Sequence, residues 1–299
     1  MKVGIIGGGV IGYAVAHDLA SRGAGVDIFE MRAPGMGATR ASAGMLAPQL
    51  EGHVEPLLRL GEASLSLYDY FIRNLSAGSG MAIDYACTGV YDARSGLHVA
   101  GQGYVKVPDL MAALQEACRR CGVRVFTRRV GQPADLDADV VVVAAGAWAG
   151  APVKPIRGQI IQLRPGLPPP RQIVWGDGVY IVPWADGSVL VGATSEDAGF
   201  DESASEAATM RLHAAASALV PALEGAVVED VRVGLRPATP DELPVIGWSS
   251  TMPRVCYATG HYRNGILLTP LTATLVSGLI IDRRTDPLLE LTRPDRFGL

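Results

Sequence analysis

Cysteine is scarce: Cys87, Cys118, Cys121 and Cys256 are the four in a chain of 299 residues, too few for a disulfide framework. Basic runs are missing as well. Lys and Arg number 26 against 30 Asp and Glu, a formal charge of −4, so nucleic acid is not an expected partner. No apolar stretch reaches the ~18 residues of a membrane span without a breaker, and the chain reads as soluble and cytoplasmic. The first sixteen residues imitate a signal peptide with Lys2, an apolar stretch and Ala14-Val15-Ala16. Glycine is heavy inside that stretch, however, and the strand pattern at 26–30 requires its start as a first strand. His17, His53, His98 and His213 show no ligand spacing, so no metal site is expected.

What is present suits a folded, globular chain. Hydrophobic residues make up 48% and charged residues 19%, enough for a sizeable core. The length predicts one large or two modest domains. Glycine is abundant, 36 residues without a Gly-X-Y period, so many backbone positions need positive φ or close approach. Leu110, Ala113, Leu114, Ala117, Cys118 and Cys121 fall on one face of a helix opened by Pro108-Asp109 and closed by Gly122. The C-x-x-C within it therefore reads as two core thiols rather than a redox or metal pair.

The amino terminus carries the sharpest motif. Lys2–Ile6 is a short buried-strand pattern, and Gly7-Gly8-Gly9-Val10-Ile11-Gly12 comes next and opens a helix to about Arg22. Val26–Glu30 is a second strand. Gly7 permits the tight turn, Gly9 lets backbone approach a pyrophosphate, and Gly12 lets helix and strand pack closely. The helix's amino end faces the phosphates, and Glu30 is placed to accept bonds from the adenosine ribose. An acid there disfavours a 2′-phosphate but does not separate NAD from FAD. The chain contains no second nucleotide fingerprint.

The small-residue stretch from Gly35 to Pro48 has no helical or strand period. It is either a flexible linker or a loop packed on a flat ligand. Val140–Ala144 is a buried parallel-strand run that, with Val123–Thr127, returns the chain to the first sheet. From Pro152 the texture alternates: Ile156–Leu163, Val179–Pro183, Ser188–Gly192 and Val227–Leu235 read as strands, with an Asp186-Gly187 hairpin and a helix over Glu202–Leu219. Val255–Thr259 is a further strand, followed by a loop and a helix from about Pro270 to Ile281. The fold class is α/β: a Rossmann-like dinucleotide domain plus a smaller α+β domain with a mainly antiparallel sheet.

With these motifs in hand, the chain resembles the FAD-dependent amino-acid oxidases of the D-amino-acid oxidase superfamily, most of all the glycine oxidases of thiamine biosynthesis. The likeness rests on the glycine fingerprint with Glu30, on Ala43-Gly44-Met45-Leu46, on Tyr180-Ile181-Val182-Pro183 and on Val191-Gly192-Ala193-Thr194. Gly234-Leu235-Arg236-Pro237, Asp241 to Gly247, and Gly260-His261-Tyr262-Arg263-Asn264-Gly265-Ile266-Leu267-Leu268 complete it. The resemblance implies an FAD domain of 1–80, 104–152 and 239–299 under a substrate domain of 81–103 and 153–238. It implies FAD contacts at Val10, Ile11, Glu30, Met31, Ala38, Thr39, Ala43, Gly44, Met45, Val130, Gly146 and His261 to Leu267. It also implies that Arg236, helped by Tyr180 and Arg263 and lined by Met45, binds the substrate carboxylate.

Chemistry supports these placements. Arg236 ends an apolar strand before Pro237, and a buried guanidinium is costly unless paired; an amino-acid carboxylate matches its fork as Lys cannot. By resemblance the α-hydrogen leaves as hydride to flavin N5, so His261 is not needed as a base and no catalytic side chain is named. The implied reaction is oxidative deamination of glycine or a small amino acid or secondary-amine acid. O₂ reoxidises the flavin and gives H₂O₂. A dehydrogenase using another acceptor, or a catalytically silent FAD-binding protein, are the alternatives. The chain departs from the family at Gly178, where a histidine is common, at Trp184, where a basic residue is common, and in an abbreviated stretch around Met81–Gly103. A roof this short leaves room for a homo-oligomer in which a neighbour completes the cover.

Overall fold

Lys2–Ile6 is apolar and buried at its centre, as suits a strand covered on both faces. The computed structural model describes residues 1–50, 55–176 and 178–299. In chain order its strands are β1 (Lys2–Ile6), β2 (Gly25–Glu30), β3 (Met45–Leu46), β4 (Tyr85–Ala86), β5 (Val90–Asp92), β6 (Leu97–Val99), β7 (Gly103–Val105) and β8 (Arg124–Thr127). They continue with β9 (Val140–Val143), β10 (Lys154–Arg164), β11 (Ile173–Gly176), β12 (Val179–Pro183), β13 (Val189–Gly192), β14 (Val227–Ala238), β15 (Val245–Trp248) and β16 (Val255–Thr259). The helices are α1 (Val10–Ser21), α2 (Leu57–Leu65), α3 (Tyr68–Ser79), α4 (Val107–Arg120), α5 (Glu206–Leu219) and α6 (Thr269–Ser277).

A six-stranded sheet runs in the order β15-β16-β9-β1-β2-β8. It is parallel except for the β15–β16 pair. Helix α1 is buried on nearly every side, from Val10 through Ala16 and at Leu19, because it lies between the sheet and helices α4 and α6 in one core. A β-carbon on Gly12 would stand 2.0 Å from the Gly7 carbonyl oxygen. Only glycine lets the helix start this close to β1.

A seven-stranded sheet, β14-β10-β13-β12-β11-β5-β6, is antiparallel apart from the β5–β11 pair. Alternation splits its faces. Ile161, Leu163, Val179, Ile181, Val189 and Val191 pack on Leu212 and Ala216 of α5. Ile160, Tyr180, Val182 and Leu190 point the other way, toward Met45 and Trp175. β7 pairs with β3 and β4 in a small third sheet. Among the described residues no helix is long and apolar enough to cross a membrane.

Two sequence expectations are corrected. Cys118 is buried, but Cys121 is exposed, because it is the C-cap of α4 and the chain leaves the buried stripe at Gly122 (φ 78°). Cys118 donates to the Tyr13 carbonyl at 3.4 Å, and burial raises its pKa. Helix α5 begins at Glu206 rather than Glu202, since Ser205 is the N-cap and its side chain accepts the Ala208 N–H. The expected helix from about Pro270 to Ile281 is present, α6 widening at Gly278 into a π-helical turn that runs to Asp282.

Candidate active site

The carboxyl ends of β1, β2 and β9 face the inner side of the seven-stranded sheet across a cavity of about 880 Å³. Open parallel sheets bind ligands at this end of their strands. The expected substrate contacts Arg236, Tyr180, Arg263 and Met45 all line it. So do the expected cofactor positions, except Gly12, Gly44, Asn264 and Leu267. Those four stand behind the wall. Gly12 packs on Gly7 and Gly44 packs on the Val105 carbonyl. The Asn264 N–H donates to His261 O, and Leu267 sits in the core with its carbonyl bonded by Ser64 Oγ at 2.6 Å.

The end nearest α1 fits a dinucleotide. The N-cap of α1 is Gly9, which has no side chain to cap the helix, and the amide groups beyond Val10 are left for an anion. The Val10 N–H donates to Thr39 Oγ1 at 3.1 Å, and the Gly35 N–H to Gly8 O at 2.8 Å, so the small-residue loop is packed against the glycine turn. Its other side abuts Gly234, where a β-carbon would meet that of Ala41 at 2.7 Å. Glu30 accepts the Gly8 N–H at 2.7 Å and the Arg32 N–H at 2.9 Å, one on each oxygen. An ionised carboxylate has about four acceptor sites, so two are left for the cavity.

At the other end, strand alternation places Arg236, Gly158, Gly192 and Tyr180 on the cavity face of neighbouring strands. Arg236 is half-buried. Among the described residues its bonds run to backbone carbonyls, Thr194 O at 3.0 Å and Arg157 O at 3.4 Å, and to no carboxylate. Its head passes over Gly158, as the Tyr180 ring passes over Gly192. Tyr180 stacks on Trp175, ring centroids 5.9 Å apart, and Trp175 also lines the cavity.

The loop 260–265 closes the space between the two ends. The Tyr262 N–H donates to Pro237 O at 2.9 Å, tying the loop to the end of β14. Arg263 is exposed, its guanidinium 4.9 Å from the Tyr262 ring centre and bonded to that hydroxyl at 3.1 Å. His261 is 3% exposed, its Nε2 2.9 Å from Thr272 Oγ1. Burial lowers its pKa from 6.5 to about 3, so the ring is neutral. Among the described residues no three His, Cys, Asp or Glu side chains gather as a metal site would require; His53 lies outside them.

Sequence reasoning missed Arg32, Trp148, Trp175 and Phe200, all of which line the cavity. Trp148 lies beyond the Val140–Ala144 run, in a short turn over Gly146–Trp148 whose side-chain directions a strand pattern does not give. Phe200 lies in a stretch without period.

The family model described as FAD dependent oxidoreductase (DAO) matches residues 2–96 and 90–279. A "Bifunctional protein ThiO/ThiG" from Nostoc sp. is 34% identical over 95% of this chain. The chain spans about half of that relative's length, 53%. "Glycine oxidase" from Geobacillus kaustophilus is 33% identical over 95% of this chain and 93% of its own. The crystal structure of glycine oxidase from Geobacillus kaustophilus superposes with a TM-score of 0.89 at 31% identity, covering 96% of each chain.

Proposed function

The chain belongs to the DAO family of FAD dependent oxidoreductases, and from that footing we propose that it oxidises the amine of glycine or another small amino acid held by Arg236. It is an FAD-dependent amino-acid oxidase of the glycine oxidase type. The observation that carries the proposal is Arg236. This half-buried guanidinium faces the cavity with backbone carbonyls as its only bonded partners among the described residues. A cation held in this way calls for an anion, and a carboxylate is the partner its fork fits best.

FAD, which Glu30, Gly7, Gly9 and the amino end of α1 would hold, would supply the two-electron chemistry, with O₂ as final acceptor and H₂O₂ as product. The chain's own part is binding and orientation. Arg236 takes the carboxylate and Tyr180 adds a hydroxyl bond. Met45 and Trp175 supply an apolar wall that excludes water. Arg263 stands at the rim. Glu30 takes the ribose, with Gly7, Gly9 and the amino end of α1 on the pyrophosphate. The imidazole of His261, neutral and bonded to Thr272, takes no proton in this scheme. The imine product hydrolyses in water.

The same proposal divides the chain into an FAD domain of 1–80, 104–152 and 239–299 and a substrate domain of 81–103 and 153–238. Its support is that every strand of the six-stranded sheet falls in the first set and every strand of the seven-stranded sheet in the second. A role in thiamine biosynthesis, implied by the sequence resemblance, belongs to the proposal too. The test is anaerobic addition of glycine, sarcosine or D-alanine to the FAD-loaded protein. Bleaching of the flavin absorbance, with peroxide on readmission of oxygen, is expected. Bleaching without peroxide would point to another acceptor, and no bleaching by any of the three would sink the proposal for these substrates.

A further inference from the structure

We infer that Arg32, Phe200 and Glu202 form a clasp over the nucleotide end of the cavity, so that FAD leaves only when the clasp opens. The inference rests on FAD occupying this cavity and not on the role of Arg236. Between β13 and α5 the residues 194–205 form a strap. Thr194 and Ser195 at its start line the cavity, and Ser205 at its end caps α5. One stretch of the strap is pinned to its own sheet. Arg157 of β10 bonds Glu196 and Asp201 through its two terminal nitrogens, each at 2.5 Å. Backbone bonds between Arg157 and Glu196 add to this.

The tip instead reaches across to the opposite wall. Glu202 Oε2 accepts from Arg32 Nη1 at 2.7 Å, and Phe200 packs on Trp148 with ring centroids 5.8 Å apart. The Arg32 guanidinium lies 4.3 Å from the centre of the Trp148 ring. Arg32 stands two residues after Glu30, beyond β2, and Trp148 two residues after Gly146, beyond β9. Both contacts therefore land on the wall that faces the nucleotide, while the strap itself is tied to the other sheet through Arg157 and Glu196. Arg32, Trp148 and Phe200 all line the cavity, so FAD bound there would be bordered by the strap tip.

These tip contacts contribute little to the fold. Phe200 is 56% exposed, and the side chains of Arg32 and Glu202 keep about a third of their surface in water, 32% and 29%. Exposed ion pairs are weak and screened by salt. Lifting the tip breaks the Arg157–Asp201 pair, whose carboxylate is half exposed, but moves no core side chain. Contacts that are cheap to break and that lie across a mouth suit a reversible closure better than a structural staple.

The experiment starts from FAD-loaded protein, dilutes it, and monitors the rise in free-flavin fluorescence as FAD is released. Glu202→Gln and Phe200→Ala are each expected to speed release by about three- to fivefold, and wild-type release should quicken with added salt while Glu202→Gln loses that dependence. Melting of the apo forms should be unchanged from wild type, and Glu202→Asp should recover part of the slow release. Release within twofold of wild type in both variants would overturn the clasp. So would faster release accompanied by an equal loss of apo stability. A wild-type preparation that retains no FAD would remove the cofactor reading and the clasp together.

Discussion

Arg236 lies over Gly158 so closely that a β-carbon on the glycine would stand 2.2 Å from Nη1 and 2.4 Å from Cζ of the arginine. The atoms it would displace are the far end of a flexible side chain, so the arginine gives way and the sheet holds. Gly158→Ala is therefore expected to leave melting and FAD content nearly unchanged while raising KM for the amino acid by about tenfold or more. Steady-state kinetics beside a thermal melt measures both. An unchanged KM would mean that the position of the Arg236 head does not matter to binding.

Replacing the fork by a point charge tests the same group from the other side. Arg236→Lys should raise KM by about 10- to 100-fold, the value of a charge-assisted bond lost from a bidentate pair, with FAD still bound. Equal KM in variant and wild type would remove Arg236 from the substrate site.

Glu30 holds two backbone N–H groups, of the glycine turn and of Arg32, in addition to its proposed ribose contacts. Glu30→Ala should weaken FAD affinity by about tenfold or more with the far-UV spectrum intact. Glu30→Gln, which keeps one acceptor oxygen, should fall between. Fluorescence titration of the apo forms with FAD decides it, and equal affinity in all three would show that the nucleotide sits elsewhere.

The neutral, buried His261 predicts an acid limb of stability. Its pKa is lowered from 6.5 to about 3 by burial, so between those values the unfolded chain binds a proton that the folded chain does not. Its contribution is complete above pH 6.5 and is lost as pH falls toward 3, at up to about 1.4 kcal/mol per pH unit. Urea denaturation across this window, compared between wild type and His261→Asn, should show a shallower slope in the variant. Parallel slopes would mean that the ring takes up its proton in the folded state.

The half built around β1 was legible because its signals are local. One strand, a glycine turn, a helix and a second strand succeed one another within the first 30 residues, and the runs that became β9 and β16 are continuous and apolar. Helices α2 and α3 were not legible although their buried residues keep helical spacing, Leu57, Leu60, Gly61 and Ser64, then Tyr68, Ile72, Leu75 and Ser79, because Gly61, Ser64 and Ser79 thin the apolar stripe. Ser64 and Tyr68 turn inward to bond the carbonyls of Leu267 and Ile266, far away in sequence. The substrate end was legible only through resemblance. Arg236 owes its place to Gly158 on a neighbouring strand, and the clasp pairs Trp148 with Phe200 and Arg32 with Glu202. No periodicity joins residues that meet only after two sheets have closed on each other. Cys121 failed for a simpler reason, since helical spacing says which face a residue would share but not where the helix stops.

The six-stranded sheet takes its strands from residues 2–30, 124–143 and 245–259, and the seven-stranded sheet fills the intervals between. A protease that nicked the surface connection between β10 and β11, where Leu167 is 63% exposed, would leave two fragments that each contribute strands to both sheets. Such fragments should co-migrate until denatured, and neither sheet could be prepared alone from one uninterrupted piece of the gene.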